Sequence, residues 1–523
     1  MKKRVILFAL TVVLAITAIG CGGEQSTTGT ADGANTPELL GIFTDWIEQT
    51  EAKLTDEPVT FTYWVRNDNA GVVSNYAEHS VYKTLQERTG VTIEFLHPTG
   101  DQNQLDMLIA AGATPDFIET VNMNSIPEGA DKAIANGVII RLNELVEQYA
   151  PNFMRGRSLS DESRRLTSTD MGNIYGFPKL LGGYEGSWGG PSIREDLLEK
   201  LNLDPPETFD EWYEVLTAFK NDGIEIPLSL PHAGWDTVNE FGVFIGGFDV
   251  AKGFFVKQDG TVAYGPIEDG YKRFLQTFHK WYEEGLIYAD FDSIGRNEKS
   301  TLAAEGKIGA AVDIGFGDYT TVAVPYPVEE KGTEARFRQK NWRNRGYEAT
   351  ISTNCADPVL AVKWFDYHYS PAGSRLFSMG VEGDSYVIVD NEYVYTPTIY
   401  NSADGIGRAM QSRRLVNAPY LTNPEATPLQ LPKELREETS SIRIWEGPTD
   451  GMLPRLTMTD EEREEYNEIM DAVSSFVSPK YVSFIKGTDS LDQWDEYVRT
   501  IKNMNIDRAI EITQTAYNRL MAR

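Results

Sequence analysis

The chain has 523 residues, 41% apolar and 24% charged, a globular composition long enough for two or three domains. Its formal net charge of −30 repels nucleic acid and anionic lipid headgroups, which excludes both as electrostatic partners. No internal repeat is evident.

At the N-terminus Lys2, Lys3 and Arg4 precede an uncharged run from Val5 to Gly20, too short to span a bilayer comfortably, so residues 1–20 read as a signal peptide. Its removal takes away three basic residues and no acidic ones, moving the net charge from −30 to −33. Ala18-Ile19-Gly20-Cys21 resembles a lipobox, in which small residues admit the lipoprotein peptidase and the Cys21 sulfur receives diacylglycerol. The alternative is an ordinary signal peptide followed by a chance cysteine. With Cys21 acylated, Cys355 has no partner for an intrachain disulfide and is expected to be a buried small hydrophobe. Residues 21–37, rich in Gly, Ser, Thr and Ala, read as a flexible tether.

Glu38 to Lys53 carries Leu39, Leu40, Phe43, Trp46 and Ile47 as an amphipathic helix. Val59, Phe61, Tyr63 and Val65 alternate as a strand, a helical stretch runs to Thr89, and Val91 to Leu96 forms a second strand. In Leu105 to Val121, LDMLIAAGATPDFIETV, apolar residues at helical spacing end at Gly112. Thr114-Pro115-Asp116 then turns the chain into the strand Phe117 to Val121. The order β-α-β-α-β predicts a parallel sheet, whose ligands gather at the strands' carboxyl ends. Further on, Thr208 and Glu211 form a capping box before a helix that buries Trp212, Val215 and Phe219. Asp259-Gly260 marks a hairpin turn, Glu268 to Glu284 a helix, and Ser490 with Gln493 a second capping box opening a helical C-terminus.

The "helix, Gly, Pro-Asp, strand" segment resembles a signature of the extracellular solute-binding proteins of ABC importers, in their large lipoprotein branch. So do GVIIRLNELVEQYAPNF from Gly137 to Phe153, the Tyr-Gly-x-Pro at Tyr175 to Pro178, and the Gly-x-Glu-Gly-x-x-Tyr at Gly380 to Tyr386. The resemblance covers nearly the whole mature chain in order. It implies an α/β, two-lobed periplasmic-binding-protein-like fold (type II) with a hinge between the lobes. Lobe 1 is expected over residues 38–175 and 313–355, and lobe 2 over 176–312 and 356–523. Gly306 to Ala311 would return the chain to the first lobe, and Asp357 to Ser370 would take it back to the second. The family's calcium loop is shortened here to Asn221–Pro227 and leaves too few alternating oxygen ligands for a cage, so no metal and no cofactor is expected.

No HExxH, GxSxG, GxxxxGK[ST] or CxxC occurs, and the five histidines lack metal-ligand spacing, so no catalytic residue is assigned. Sugars present C–H faces that stack on rings and hydroxyls that need polar partners. Trp46, Trp212, Trp281, Trp364 and Trp494 sit among apolar residues of predicted helices and are expected in the core. Trp64, Trp188, Trp235, Trp342 and Trp445 lie at strand ends or in loops. The expected ligand-binding set is Trp64, Asn67, Asp68, Asn122, Trp188, Arg194, Trp235 and Trp445. For Arg194 the competing role is an ion pair with Asp196 or Glu195. Arg408, Arg413 and Arg414 form a basic cluster that is either a solvated face or a site for a uronate. The expected protein is a monomeric lipoprotein on the extracytoplasmic face of the cell membrane that delivers an oligosaccharide to an ABC permease. The rival readings are a surface glycosidase and a peptide-binding importer component.

Overall fold

A computed structural model describes residues 53–98, 103–122, 125–126, 129–183, 189–230, 243–312, 320–389, 392–415, 417–423 and 444–523. The expected signal peptide, Cys21, the tether and the helix with Trp46 lie outside them, as do Trp188 and Trp235.

In the first lobe β1 (Val59–Trp64) runs parallel to β2 (Val91–Leu96), in register from Val59↔Val91 to Trp64↔Leu96. It also runs parallel to β3 (Phe117–Thr120) through Tyr63↔Phe117. The alternation along β1 buries Phe61 and Tyr63. Both connecting helices stop where a left-handed residue is needed, at Gly90 with φ 76° and Gly112 with φ 64°. Asp116 explains the Pro-Asp signature. Its Oδ2 accepts from Thr62 N at 2.8 Å and Thr62 Oγ at 2.7 Å, and its own N–H donates back to that hydroxyl at 2.9 Å, which ties the start of β3 to β1.

The second lobe holds β4 (Pro191–Arg194), β5 (Ile226–Ser229), the hairpin of β6 (Phe254–Val256) and β7 (Val262–Tyr264), then β8 (Ile308–Val312) and β9 (Thr321–Ala323). The main sheet has the order β5-β8-β4-β9, with β5 and β8 parallel and β4 antiparallel to β8 and β9. The hairpin turns at Gly260, φ 83°, as the Asp-Gly pair predicts. Helix Phe209–Asn221 starts with the expected capping box of Thr208 and Glu211 and buries Trp212, Val215 and Phe219. Helix Asp269–Glu283 adds Phe274, Phe278 and Trp281 to the same core.

The chain then returns to the first lobe as β10 (Glu348–Ile351), antiparallel to β3. This differs from the expected division in three places. Gly306 to Ala311 is not a return strand, because β8 lies in the interior of the second sheet and β9 still pairs with β4. Val324, Tyr326 and Phe337 pack into the second core, so that lobe continues past residue 313. Helix Pro358–Tyr369 stays in the first lobe, where Trp364 stacks on Phe117 at 5.6 Å and 19°. Only after residue 423 does the chain rejoin the second lobe, through Trp445 and helices Asp460–Lys486, Trp494–Asn503 and Ile506–Ala522. The expected box at Ser490 and Gln493 is instead a 3-10 turn, with Ser490 accepting from Asp492 N. Among the described residues, Thr459 and Glu462 form a second complete capping box.

Candidate functional site

The lobes are joined where three stretches of chain lie side by side. Leu180 N donates to Tyr420 O and Thr422 N to Leu180 O, both at 2.8 Å. Lys179 N donates to Gly346 O at 2.8 Å, and Leu181 N to Arg343 O at 3.0 Å. Tyr-Gly-x-Pro therefore precedes the crossing rather than making it. Phe177 still pairs with Ala349 of the first lobe. Each crossing stretch is buried or half-buried at Leu180, Asn344 and Leu421, so backbone pairing satisfies groups that water does not reach.

The parallel strands of the first lobe end beside this junction. Trp64 is the last residue of β1 and is half-buried. Asn67 builds the loop that follows: its Nδ2 donates to Val73 O at 2.8 Å and its Oδ1 accepts from Asn69 N at 2.9 Å. Asp68 receives Arg66 Nε at 2.5 Å on one oxygen and Asn417 Nδ2 at 2.8 Å on the other. Asn122 follows β3, half-buried, and its carbonyl accepts from Thr120 Oγ at 3.0 Å. These four candidates lie at the carboxyl ends of adjacent strands.

Two candidates do not. Arg194 is 7% exposed, and its guanidinium is paired bidentately with Asp196 at 2.9 and 2.5 Å while Nη1 donates to Gly306 O at 2.9 Å. Because β4 runs antiparallel to β8, its carboxyl end lies beside the entry to β8, opposite the end at Pro191 and Val312. The ion pair with Asp196 is thus its role in this structure. Trp445 is fully buried. Its indole N–H lies within reach of Val324 O at 3.0 Å and Pro191 O at 3.3 Å, and its ring fills the space over Gly190, where a Cβ would meet it at 2.4 Å. The ring that composition suggested as a platform is a core residue. Trp212, Trp281, Trp364 and Trp494 are buried as expected.

The three arginines of the 408–414 stretch diverge. Arg408 donates to Gly71 O, Arg413 pairs with Asp384 at 3.4 Å, and Arg414 lies near enough to the Tyr395 phenol for its charge to act there. With Asn69 donating to Gln411 O at 2.9 Å, Arg408 braces the loop after β1.

Sequence reasoning missed Glu119 and Tyr347. Tyr63 donates to Glu119 Oε2 at 2.5 Å, and burial pushes the Glu119 carboxyl up to about 8 against that hydrogen bond, with the Asp68 charge adding to the rise. A neutral carboxyl at the end of β3 is a hydrogen-bond donor as well as an acceptor. Tyr347 has φ 53° after Gly346 at φ 84°, and its N–H donates to Val121 O at 3.0 Å. Two successive left-handed residues are held there by Asn344, whose Oδ1 accepts from Gly346 N at 2.8 Å. The shortened loop at Asn221 to Pro227 closes a helix: Asp222 takes Lys200 at 2.6 Å and Gly223 turns with φ 94°.

A two-lobed α/β chain with a triple crossing has the plan of a binding protein whose ligand sits between lobes. The family model of the bacterial extracellular solute-binding proteins matches residues 70–374. The chain belongs to this family. It is similar to the fructooligosaccharide ABC transporter substrate-binding protein FusA of Streptococcus pneumoniae serotype 4, 22% identical over 85% of this chain and 88% of FusA. The lipoprotein LipO of Bacillus subtilis is 25% identical over 76% of this chain and 82% of LipO. Among solved structures, the alginate-binding protein AlgQ2 without calcium ion superposes with a TM-score of 0.69 at 22% identity, covering 90% of this chain and all of AlgQ2.

Proposed function

We propose that this solute-binding protein captures an oligosaccharide between its lobes and delivers it to the transmembrane subunits of an ABC importer. The observation that carries the reading is the junction itself, where Trp64, Asn122 and Tyr347 sit beside three hydrogen-bonded crossings. A ligand touching both lobes adds contacts to the closed form and so shifts an open–closed equilibrium. The names of FusA and AlgQ2 support a saccharide over a peptide. Acylation of Cys21 would hold the protein, as a monomer, on the extracytoplasmic face of the membrane, a reading that the lipobox supports together with the lipoprotein relative. Among the described residues no helix is long and apolar enough to cross a membrane.

The test is a thermal-shift screen of the mature chain against oligosaccharides and short peptides, followed by analysis of the bound compound after long incubation. A melting temperature raised by sugars, with the sugar recovered intact, is the expected result. Shifts with peptides alone would favour the peptide-importer reading. Shorter sugars accumulating with time would favour the glycosidase, with Glu119 the first carboxyl to replace.

A further inference from the structure

The chain has 78 acidic and 48 basic residues, yet Arg336, Arg338, Lys340, Arg343 and Arg345 fall within ten residues, with no acid between Glu334 and Glu348. Folding accounts for three of them. Arg336 pairs with Asp249 and Asp450 at 3.0 and 3.4 Å, and Arg338 donates to the carbonyls of Ala335, Trp445 and Glu446. Lys340 pairs with Glu162 at 3.1 Å and stands 4.0 Å from the centre of the Trp342 ring.

Arg343 and Arg345 lie on the crossing itself, and their guanidinium groups meet no carboxylate among the described residues, although the Arg343 backbone N–H donates to Glu162 Oε1 at 2.7 Å. Arg343 Nη1 donates to Gly183 O at 2.8 Å, and Arg345 Nη1 to Asn341 Oδ1 at 2.9 Å. Arg345 is half-buried. From the second lobe comes exposed Arg455, likewise without a carboxylate among the described residues. Its Nη1 stands 3.6 Å from where a Cβ on Gly346 would lie. Gly346 admits no side chain, since a Cβ would also meet Val121 O at 2.1 Å. The strained turn therefore sets Arg345, and Tyr347 after it, at the end of β3, and Arg455 closes over the turn from the other lobe. Guanidinium groups stay charged at all physiological pH, and one without a carboxylate in contact keeps its paired N–H donors available to an anion. Arg345 and Arg455 flank the turn, one on the crossing and one from the second lobe, so an anion seated at the turn would be offered donors from both.

We infer that Arg345 and Arg455, which flank the turn at Gly346, bind a carboxylate of the captured oligosaccharide, so that the ligand is an acidic sugar chain rather than a neutral one. The inference rests on the oligosaccharide-capture reading and names its substrate class. A planar carboxylate accepts two parallel N–H bonds from one guanidinium, and one contact from each lobe couples its binding to closure.

The experiment is calorimetric titration of the mature chain with trigalacturonate, with sialyllactose and with a neutral trisaccharide, at about 50 and about 300 mM salt. Trigalacturonate carries its carboxylates along the chain and sialyllactose at one end, so the two arms separate an internal from a terminal acid. The expected result is binding of at least one acidic sugar, weakened by salt, with a preference over the neutral one that narrows about tenfold in Arg345→Gln and in Arg455→Gln. Arg455 is exposed, so its variant keeps the test available where Arg345→Gln fails to fold. Tight binding of the neutral sugar alone, or acidic binding that neither variant changes, overturns the inference and leaves oligosaccharide capture standing. Absence of binding by every saccharide overturns the capture reading itself.

Discussion

Replacing Trp445 by alanine separates a core residue from a sugar platform. The side chain is fully buried in the second-lobe core, and its removal opens a cavity between Pro191, Val324 and Gly190. Truncation of a buried tryptophan costs about 3–5 kcal/mol. The two carbonyls it serves lose a donor, which holds the value toward the upper end. Unfolding entropy is roughly 2.1 cal/mol/K per residue, or about 1 kcal/mol/K for a chain of this length unfolding as one unit, so the melting temperature should fall by about 3–5 °C. Unfolding of the second lobe alone would roughly double the shift. Differential scanning calorimetry gives the stability, and ligand affinity is measured well below the transition. Affinity there should be nearly unchanged, because the ring has no exposed surface to offer. A variant with the wild-type melting temperature and a tenfold loss of affinity would refute the core assignment.

Three further outcomes are expected. Asp170 of the first lobe accepts from Thr457 Oγ at 2.7 Å and from Arg523 at 2.5 and 3.1 Å, so Asp170→Ala should cost about 1.5–3 kcal/mol by denaturant unfolding. A loss indistinguishable from that of an exposed-surface control would contradict this. The raised carboxyl of Glu119 stays protonated in the fold up to about 8, while the unfolded chain releases its proton near the ordinary 4.5. Stability from this group therefore falls as pH rises through that window. The melting temperature of Glu119→Gln relative to wild type should accordingly climb from pH 5 to pH 8, and a difference constant with pH would disprove it. Finally, Cys21→Ala should release the protein to the medium or leave it unprocessed. Normal processing with membrane retention would sink the lipobox reading.

The local pieces of this fold are decided within a few residues, which is why they can be read from a linear chain. Alternation in Val59 to Val65, the stop at Gly112, the box of Thr208 and Glu211, and the turn at Asp259-Gly260 each depend on neighbours in sequence, and each recurs in the structure. The helix tryptophans were legible for the same reason, since Trp212, Trp281, Trp364 and Trp494 sit in apolar stripes that must face a core. The family, and with it the two-lobed plan, was legible from several such pieces in order.

Other features depend on contacts between residues far apart in the chain. Trp445 lies next to Gly447 and Pro448, a loop-like setting, yet Gly190 leaves the hole that its ring fills from 255 positions away. Arg194 faces away from the junction because β4 happens to run antiparallel, a direction that the four residues of the strand do not encode. Helix Pro358–Tyr369 stays in the first lobe because its aromatic face packs there, with Trp364 stacked on Phe117. The basic run from Arg336 to Arg345 was visible in the sequence, but only the fold shows which of its charges are neutralised by Asp249, Asp450 and Glu162 and which stand at the junction. Side-chain patterning specifies which face is buried. The pairing of distant charges and the filling of distant cavities are set by the close packing of the assembled lobes.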